Sequence, residues 1–157
     1  MDAAAPKPVR RSHVVRPATM EWRKTRFPGC EIKTLLFDPD SGLITALTRF
    51  APGAVLPDHE HVKIEQTYVL EGRLVDMEGP DAGLEVGPGE FVWRDAGSRH
   101  AAVAPEGGIM LAMFQIPNKF HEHDGRIVDS NGQDWESAWG RLYKDEASPG
   151  DAGVAKW

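Results

Sequence analysis

Short hydrophobic runs, separated by segments rich in glycine and proline, occupy the middle of this chain. The breaks include residues 38–42, 79–83 and 87–89, whose composition is typical of turns. Short runs between turn segments predict β-strands, and their close spacing favours a sandwich or a closed barrel. The predicted strands are residues 32–37, 43–50, 66–70, 73–77, 91–93 and 109–116.

One segment near the end of the chain has the spacing of a helix. Residues 134–143 would place four large or apolar side chains on one helical face, which predicts a short C-terminal helix. The predicted fold class is therefore all-β, with a barrel and one helix. The four residues on that face are Trp135, Ala138, Trp139 and Leu142.

The length of 157 residues suits one domain, flanked by ends without a clear pattern. Residues 1–18 are rich in alanine, proline and arginine and are predicted to form a flexible arm. Residues 19–144 are predicted to contain the barrel and its helix, and residues 145–157 a flexible tail.

Charge and cysteine content exclude several function classes. The formal net charge of −6 argues against a nucleic-acid partner, because phosphate binding needs a concentrated positive surface. The single cysteine, Cys30, cannot form an intramolecular disulfide, and no basic partner is implied for it, so we predict an unreactive thiol. The sequence has neither a run of ~18–20 apolar residues nor a signal segment. These features predict a soluble cytoplasmic protein without a membrane partner.

Residues 53–72 contain the side chains that suggest metal chemistry. His59 and His61 are two residues apart, so both imidazoles would face the same side of a strand. Glu65 follows four residues later and would reach the same face after a turn or along the strand. Two imidazoles and a carboxylate on one face suit iron(II) and leave coordination positions for substrate or oxygen. His100, after a turn at Gly97, would complete the set if the barrel closes.

These residues resemble the two motifs of the cupin family. The first motif, G(X)5HXH(X)3–4E(X)6G, is matched in full by Gly53, His59, His61, Glu65 and Gly72. The second motif, G(X)5PXG(X)2H(X)3N, is matched in part. Its metal position is kept, whereas its proline and asparagine positions are not. The second-motif residues are Gly89, Asp95 in place of proline, Gly97, His100, and Ala104 in place of asparagine.

The resemblance implies a jelly-roll barrel that binds one divalent transition metal. The implied ligands are His59, His61, Glu65 and His100, with the histidines neutral and Glu65 an anionic or weak ligand. Fe(II) is the favoured ion, and Zn, Mn, Ni or Cu are alternatives because several of them bind such sites more tightly.

The family also tends to dimerise, which predicts a homodimer. In the strand predicted over residues 66–70, alternation points Thr67 and Val69 inward, together with the preceding Glu65. Tyr68 and Leu70 would then point outward and need cover. A second subunit and another segment of the same chain, such as the C-terminal helix, are both open as the cover.

Small cupins that look like this chain include diketone-cleaving dioxygenases and the cupin half of ChrR-type anti-sigma factors. We therefore predict a non-haem Fe(II) dioxygenase that cleaves a small diketone or hydroxy-ketone substrate. A non-catalytic metal-binding or ligand-sensing module is one alternative, and a metal-assisted isomerase or lyase acting on a sugar or organic acid is another. No helical sigma-binding domain precedes the barrel in this sequence, so the regulatory role is not expected to carry over.

Three further side chains are candidates for the barrel mouth. Arg49, Trp93 and Gln115 lie on predicted strands and are candidates to point into the cavity, where Arg49 or Gln115 could orient a substrate oxygen. His121 and His123 form a second H-x-H pair. Because this pair lies between a Pro-Asn step and a glycine, we predict an exposed loop without metal.

Overall fold

The alternating pattern produces twelve β-strands and one α-helix in the computed structural model, which describes residues 8–144. The strands are β1 (Arg23–Lys24), β2 (Cys30–Asp38), β3 (Leu43–Phe50), β4 (Ala54–Glu60), β5 (Glu65–Gly72), β6 (Leu74–Asp76), β7 (Glu85–Val86), β8 (Phe91–Arg94), β9 (Arg99–Ala104), β10 (Gly108–Gln115), β11 (Lys119–His121) and β12 (Ile127–Val128), followed by helix α1 (Trp135–Lys144).

The strands form two antiparallel sheets of six. One sheet has the order β1-β2-β3-β10-β5-β8, and the other has the order β12-β11-β4-β9-β6-β7. The chain crosses repeatedly from one sheet to the other, so strands distant in sequence become neighbours. This arrangement confirms the predicted all-β jelly roll with a short C-terminal helix.

The core lies between the two sheets, and β5 shows why. Thr67 and Val69 are buried, whereas Tyr68 and Leu70 are exposed, so the predicted alternation on this strand is confirmed. Aromatic and aliphatic side chains from both sheets fill the space beside Val69. The main cluster includes Phe27, Phe50, Leu74, Val86, Ala104, Met110, Phe120 and Val128.

Helix α1 closes one end of the barrel, beside Val62 and Ile116. Asp134 caps it, since its Oδ1 accepts the backbone N–H of Ser137 at 2.9 Å. The buried Trp135 ring donates from Nε1 to the carbonyl of Pro117 at 2.7 Å. The helix therefore does not cover Tyr68 or Leu70, and cover by a second subunit stays a prediction.

Strands β4 and β9 were missed by the hydrophobic pattern. Pairing runs from Leu56 opposite Ala102 to His59 opposite His100, so β4 has one extra residue in this interval. Pro57 lies in this bulge, where its missing N–H breaks no ladder hydrogen bond. The proline and the polar residues around it hid the strand from a search for apolar runs.

Gly72, the last position of the first motif, is required by a close approach between two backbone segments. Its φ is +69°, and a Cβ added there would lie 1.9 Å from the carbonyl oxygen of Gly107. Only glycine tolerates both the left-handed backbone and this contact. The residue therefore fixes how β5 meets the start of β10.

The predicted ends of the domain are described only in part. Residues 1–7 and 145–157, which include the predicted tail, lie outside the described residues. Pro17–Thr19 forms a short 3-10 turn, and the carbonyl of Pro17 accepts a hydrogen bond from Lys33 Nζ at 2.7 Å. In residues 8–144, no helix combines the length and apolar character that crossing a membrane requires.

Candidate metal centre

Three histidines meet inside the barrel because the β4 bulge sets their orientation. His59 on β4 lies directly opposite His100 on β9, and His61 follows immediately after β4. The ring centroids are 4.8 Å apart for His59 and His61, 4.6 Å for His59 and His100, and 5.0 Å for His61 and His100. One ring nitrogen from each lies within 4.8 Å of the others. The spacing therefore allows one ion to be shared by all three rings.

The Nδ1 atoms of two of these rings are held by neighbouring oxygen atoms. His59 Nδ1–H donates to the carbonyl of Pro57 at 2.8 Å, and His100 Nδ1–H donates to Asp76 Oδ1 at 3.1 Å. Since these acceptors carry no proton, both rings must be protonated at Nδ1. Each ring then presents the lone pair of Nε2. Fixing the tautomer and angle of a ligand in this way is typical of metal-binding histidines.

The third ring, His61, is buried beside a carboxylate. Its Nδ1 lies 2.9 Å from Glu65 Oε2, although the ring is not aligned for a regular hydrogen bond. Its Nε2 and that of His100 are buried without any hydrogen-bond partner in the described residues. A buried nitrogen without a partner is costly, so it points to a ligand. These donors fit a transition metal that prefers imidazole.

Burial also keeps His59 neutral. Loss of solvent, together with the neighbouring His61 and His100, lowers its pKa to about 3. A neutral imidazole offers its lone pair to a metal at physiological pH. Burial raises the pKa of Glu65, but the adjacent His61 outweighs this effect and the net shift is downward, so Glu65 is ionised.

Glu65, a predicted ligand, occupies a different position from the three histidines. It begins β5 in the opposite sheet, after the turn that follows His61. Its carboxylate accepts from Thr67 Oγ1 at 3.1 Å and from Asn118 Nδ2 at 3.5 Å. It is not among the ligand atoms that lie within 4.8 Å of one another. In this structure Glu65 contacts the histidine cluster through His61.

Sequence reasoning missed a buried ion pair behind His100. Arg94 on β8 donates from Nη2 to Asp76 Oδ1 on β6 at 2.7 Å, and the two side chains are only 9% and 4% exposed. Burial raises the pKa of Asp76, but the hydrogen bond from His100 and the charge of Arg94 outweigh it and lower the pKa. Strand alternation offered a signal for both residues. Asp76 lies two positions after Leu74 on β6, and Arg94 lies two positions after Val92 on β8, so each shares the inward face of an apolar residue.

The three residues predicted at the cavity mouth lie elsewhere. Arg49 donates from Nε and Nη2 to Glu31 Oε2 at 2.9 and 2.6 Å, and its guanidinium covers the Trp22 ring. Trp93 is 47% exposed, because its neighbours Val92 and Arg94 occupy the inward positions of β8. Gln115 is exposed and donates to the carbonyl of Ser41. None of the three is in contact with the histidine cluster in residues 8–144.

The second H-x-H pair and the cysteine play no part in this cluster. His121 ends β11 instead of lying in a loop, and its Nε2 is 3.3 Å from Glu60 Oε2. His123 lies in the following turn and is exposed, as predicted. Cys30 is buried, which raises its pKa to about 11, so the thiolate is scarce at neutral pH.

Comparison with known families agrees with the motifs. The ChrR cupin-like domain family matches residues 10–119, which is more than half of the chain. This chain belongs to that family. The match to the family includes all three histidines of the cluster. A search of curated protein sequences found no match.

Solved structures share the fold of this cupin. A proposed acetylacetone dioxygenase from Methylibium petroleiphilum PM1 is 22% identical, with a TM-score of 0.68, and the match covers 87% of this chain and 98% of that one. An acetylacetone dioxygenase from Acinetobacter johnsonii is 18% identical, with a TM-score of 0.68, covering 93% and 100%. A structure of Rhodobacter sphaeroides SigE with the anti-sigma ChrR matches at 29% identity and a TM-score of 0.52, covering 63% and 50%.

Proposed function

We propose that His59, His61 and His100 bind one divalent transition metal in this cupin. The observation that carries the proposal is the convergence of three buried rings, two of which have an Nε2 without a partner. Glu65 is the anionic neighbour of the set and acts on it through His61. Among the candidate ions, Fe(II) is the one that connects this site to oxygen chemistry, and Zn, Mn, Ni and Cu are the alternatives.

The proposed reaction is cleavage of a small diketone or hydroxy-ketone by dioxygen. When bound, the metal supplies Lewis acidity and, as Fe(II), reactivity toward oxygen. The protein holds its rings at fixed angles through Pro57 and Asp76 and buries them away from water. The fold neighbours called acetylacetone dioxygenases support this choice, because this chain spans nearly their whole length.

Oxygen uptake by iron-loaded protein tests the reaction. We expect uptake with acetylacetone or hydroxyacetone, with one O2 consumed for each ketone lost. A His121→Ala variant is the matched control, because this histidine lies outside the cluster, and it should keep full uptake. Absence of uptake across a diketone panel, with one iron bound per chain, would contradict the dioxygenase. Substrate loss under nitrogen would indicate an isomerase or lyase instead.

A second candidate is a metal-binding module without catalysis. The match to the ChrR structure favours it, since ChrR is named there as an anti-sigma. This candidate predicts tightly bound zinc, a full coordination shell and no oxygen consumption. The same oxygen measurement, run on zinc-loaded and iron-loaded protein in parallel, separates the two functions.

A further inference from the structure

We infer that Arg94 binds a negatively charged oxygen of the substrate, so that the substrate of this cupin is a small anion. The inference rests on the proposed function, because it assumes that a substrate enters the barrel beside the histidine cluster. Arg94 is the residue that the proposed metal site leaves unexplained. It places a guanidinium, which cannot lose its charge, in the barrel interior.

The position of Arg94 is fixed by two neighbouring strands. On β8 it lies opposite Glu65 of β5, which contacts His61. Across the barrel it bonds to Asp76, whose same oxygen accepts from His100. Arg94 is therefore connected to the histidine cluster through two intermediate residues, Glu65 and Asp76.

Arg94 has donors to spare. A guanidinium carries five N–H donors, and the described residues show one hydrogen bond from it, to Asp76 Oδ1. Structural ion pairs elsewhere in the chain use more of the arginine: Arg73 donates from three nitrogens to Glu85 and Glu106. The planar fork of an arginine suits a second, bidentate acceptor such as a carboxylate.

Two small substrates carry this chemistry: a keto acid through its carboxylate, and a diketone through its enolate. Both place a charged oxygen next to a carbonyl oxygen, so one oxygen can reach the metal site while the other meets Arg94. The shared feature is the anionic oxygen, and the arms of the experiment below separate the two sources.

The experiment measures ligand binding by titration calorimetry, in zinc-loaded and in metal-free protein, so that no turnover is required. The probes are acetoacetate for the keto acid, acetylacetone for the enolate and hydroxyacetone as the neutral ligand. The variants are Arg94→Met and Arg94→Lys. Arg73→Met, which removes an exposed arginine with its own carboxylate partners, is the matched control.

Since Arg94→Met leaves Asp76 buried without its partner, a second variant protects against loss of the fold. Asp76→Asn/Arg94→Gln replaces the ion pair by two amides and removes both charges. Circular dichroism on each variant checks that the barrel is intact.

We expect Arg94→Met and the double variant to lose at least about tenfold in affinity for one anionic probe, as for loss of a charged hydrogen bond. Hydroxyacetone should change by less than about twofold, Arg94→Lys should recover part of the loss, and Arg73→Met should match the wild type. Loss with acetoacetate identifies a keto acid, and loss with acetylacetone identifies an enolate.

Equal changes for anionic and neutral probes, or no change in any, would overturn the inference and leave Arg94 with a structural role. Failure of zinc to bind would instead count against the proposed metal site. In that case the metal-free titrations still decide the role of Arg94.

Discussion

Two H-x-H pairs in this chain have the same local sequence pattern and opposite surroundings. His59 and His61 are buried, converge with His100, and have their Nδ1 atoms beside oxygen acceptors. His121 and His123 lie at the end of a three-residue strand and in the next turn, and the second is exposed. The spacing is therefore not sufficient for a metal site. What differs is the direction of the rings: His59 and His61 are buried in the barrel interior, whereas His121 contacts Glu60 and His123 is exposed.

The two pairs also contact each other's strands. Glu60, the residue between His59 and His61, faces away from the interior and meets His121. Phe120, the neighbour of His121, faces inward and stacks on the His59 ring at 5.2 Å. Strand β11 thus adds an aromatic wall to the first pair and a polar outer contact to the residue between them.

The largest expected difference between the pairs is in metal content. His59→Ala/His61→Ala should bind no metal, because one remaining imidazole cannot hold the ion. His121→Ala/His123→Ala should bind as much as the wild type. Elemental analysis of protein expressed in iron-supplemented medium gives both values. Equal metal loss in the two variants would remove the distinction between the pairs.

The next contrast is between neighbours on β11. Phe120→Ala removes a buried ring that packs on Phe27 at 4.7 Å and on His59, and should cost about 3–5 kcal/mol of unfolding free energy. His121→Ala, one residue along, should cost less than about 1 kcal/mol. Urea unfolding measures both. A small loss at Phe120 would mean that β11 does not pack on the cluster.

A smaller effect on metal binding should appear at Asp76, which contacts the proposed ligand His100. Asp76→Asn keeps the size of the side chain but weakens the hold on His100, and should lower metal affinity by about 10–100-fold. Asp58→Asn, which changes an exposed carboxylate paired with Arg99, is the control and should leave affinity unchanged. Competition with a fluorescent zinc chelator reports the two affinities. A normal affinity in Asp76→Asn would show that His100 is oriented by other contacts.

The smallest effect is expected at the outer contact between the pairs. The partly exposed Glu60 and His121 should be coupled by less than about 1 kcal/mol in a double-mutant cycle, and less still in high salt. A larger coupling would mean that the second pair supports the first, contrary to the distinction made above.

The strands with clear alternation could be predicted from the sequence. The bounds of β3 were predicted without error, and the inward and outward residues of β5 were confirmed because Thr67 and Val69 alternate with exposed neighbours. β4 and β9 could not be predicted in the same way. Their hydrophobicity is low, and a bulge at Pro57 interrupts the period of two on which that prediction depends.

The histidines of the site could be predicted, but their surroundings could not. Motif spacing identified His59, His61 and His100, whereas Asp76 and Arg94 lie on short strands whose buried face depends on the opposite sheet. Trp93 shows the difficulty. A large aromatic residue suggests an inward position, yet β8 turns Phe91 and Trp93 outward and the charged Arg94 inward.

The central claim is that three imidazoles share one ion, and X-ray absorption spectroscopy of zinc-loaded protein tests it most directly. We expect one zinc per chain and outer-shell scattering from three imidazole rings, and no bound zinc in His59→Ala/His61→Ala. A zinc shell without imidazole scattering, or one retained in that variant, would contradict the account.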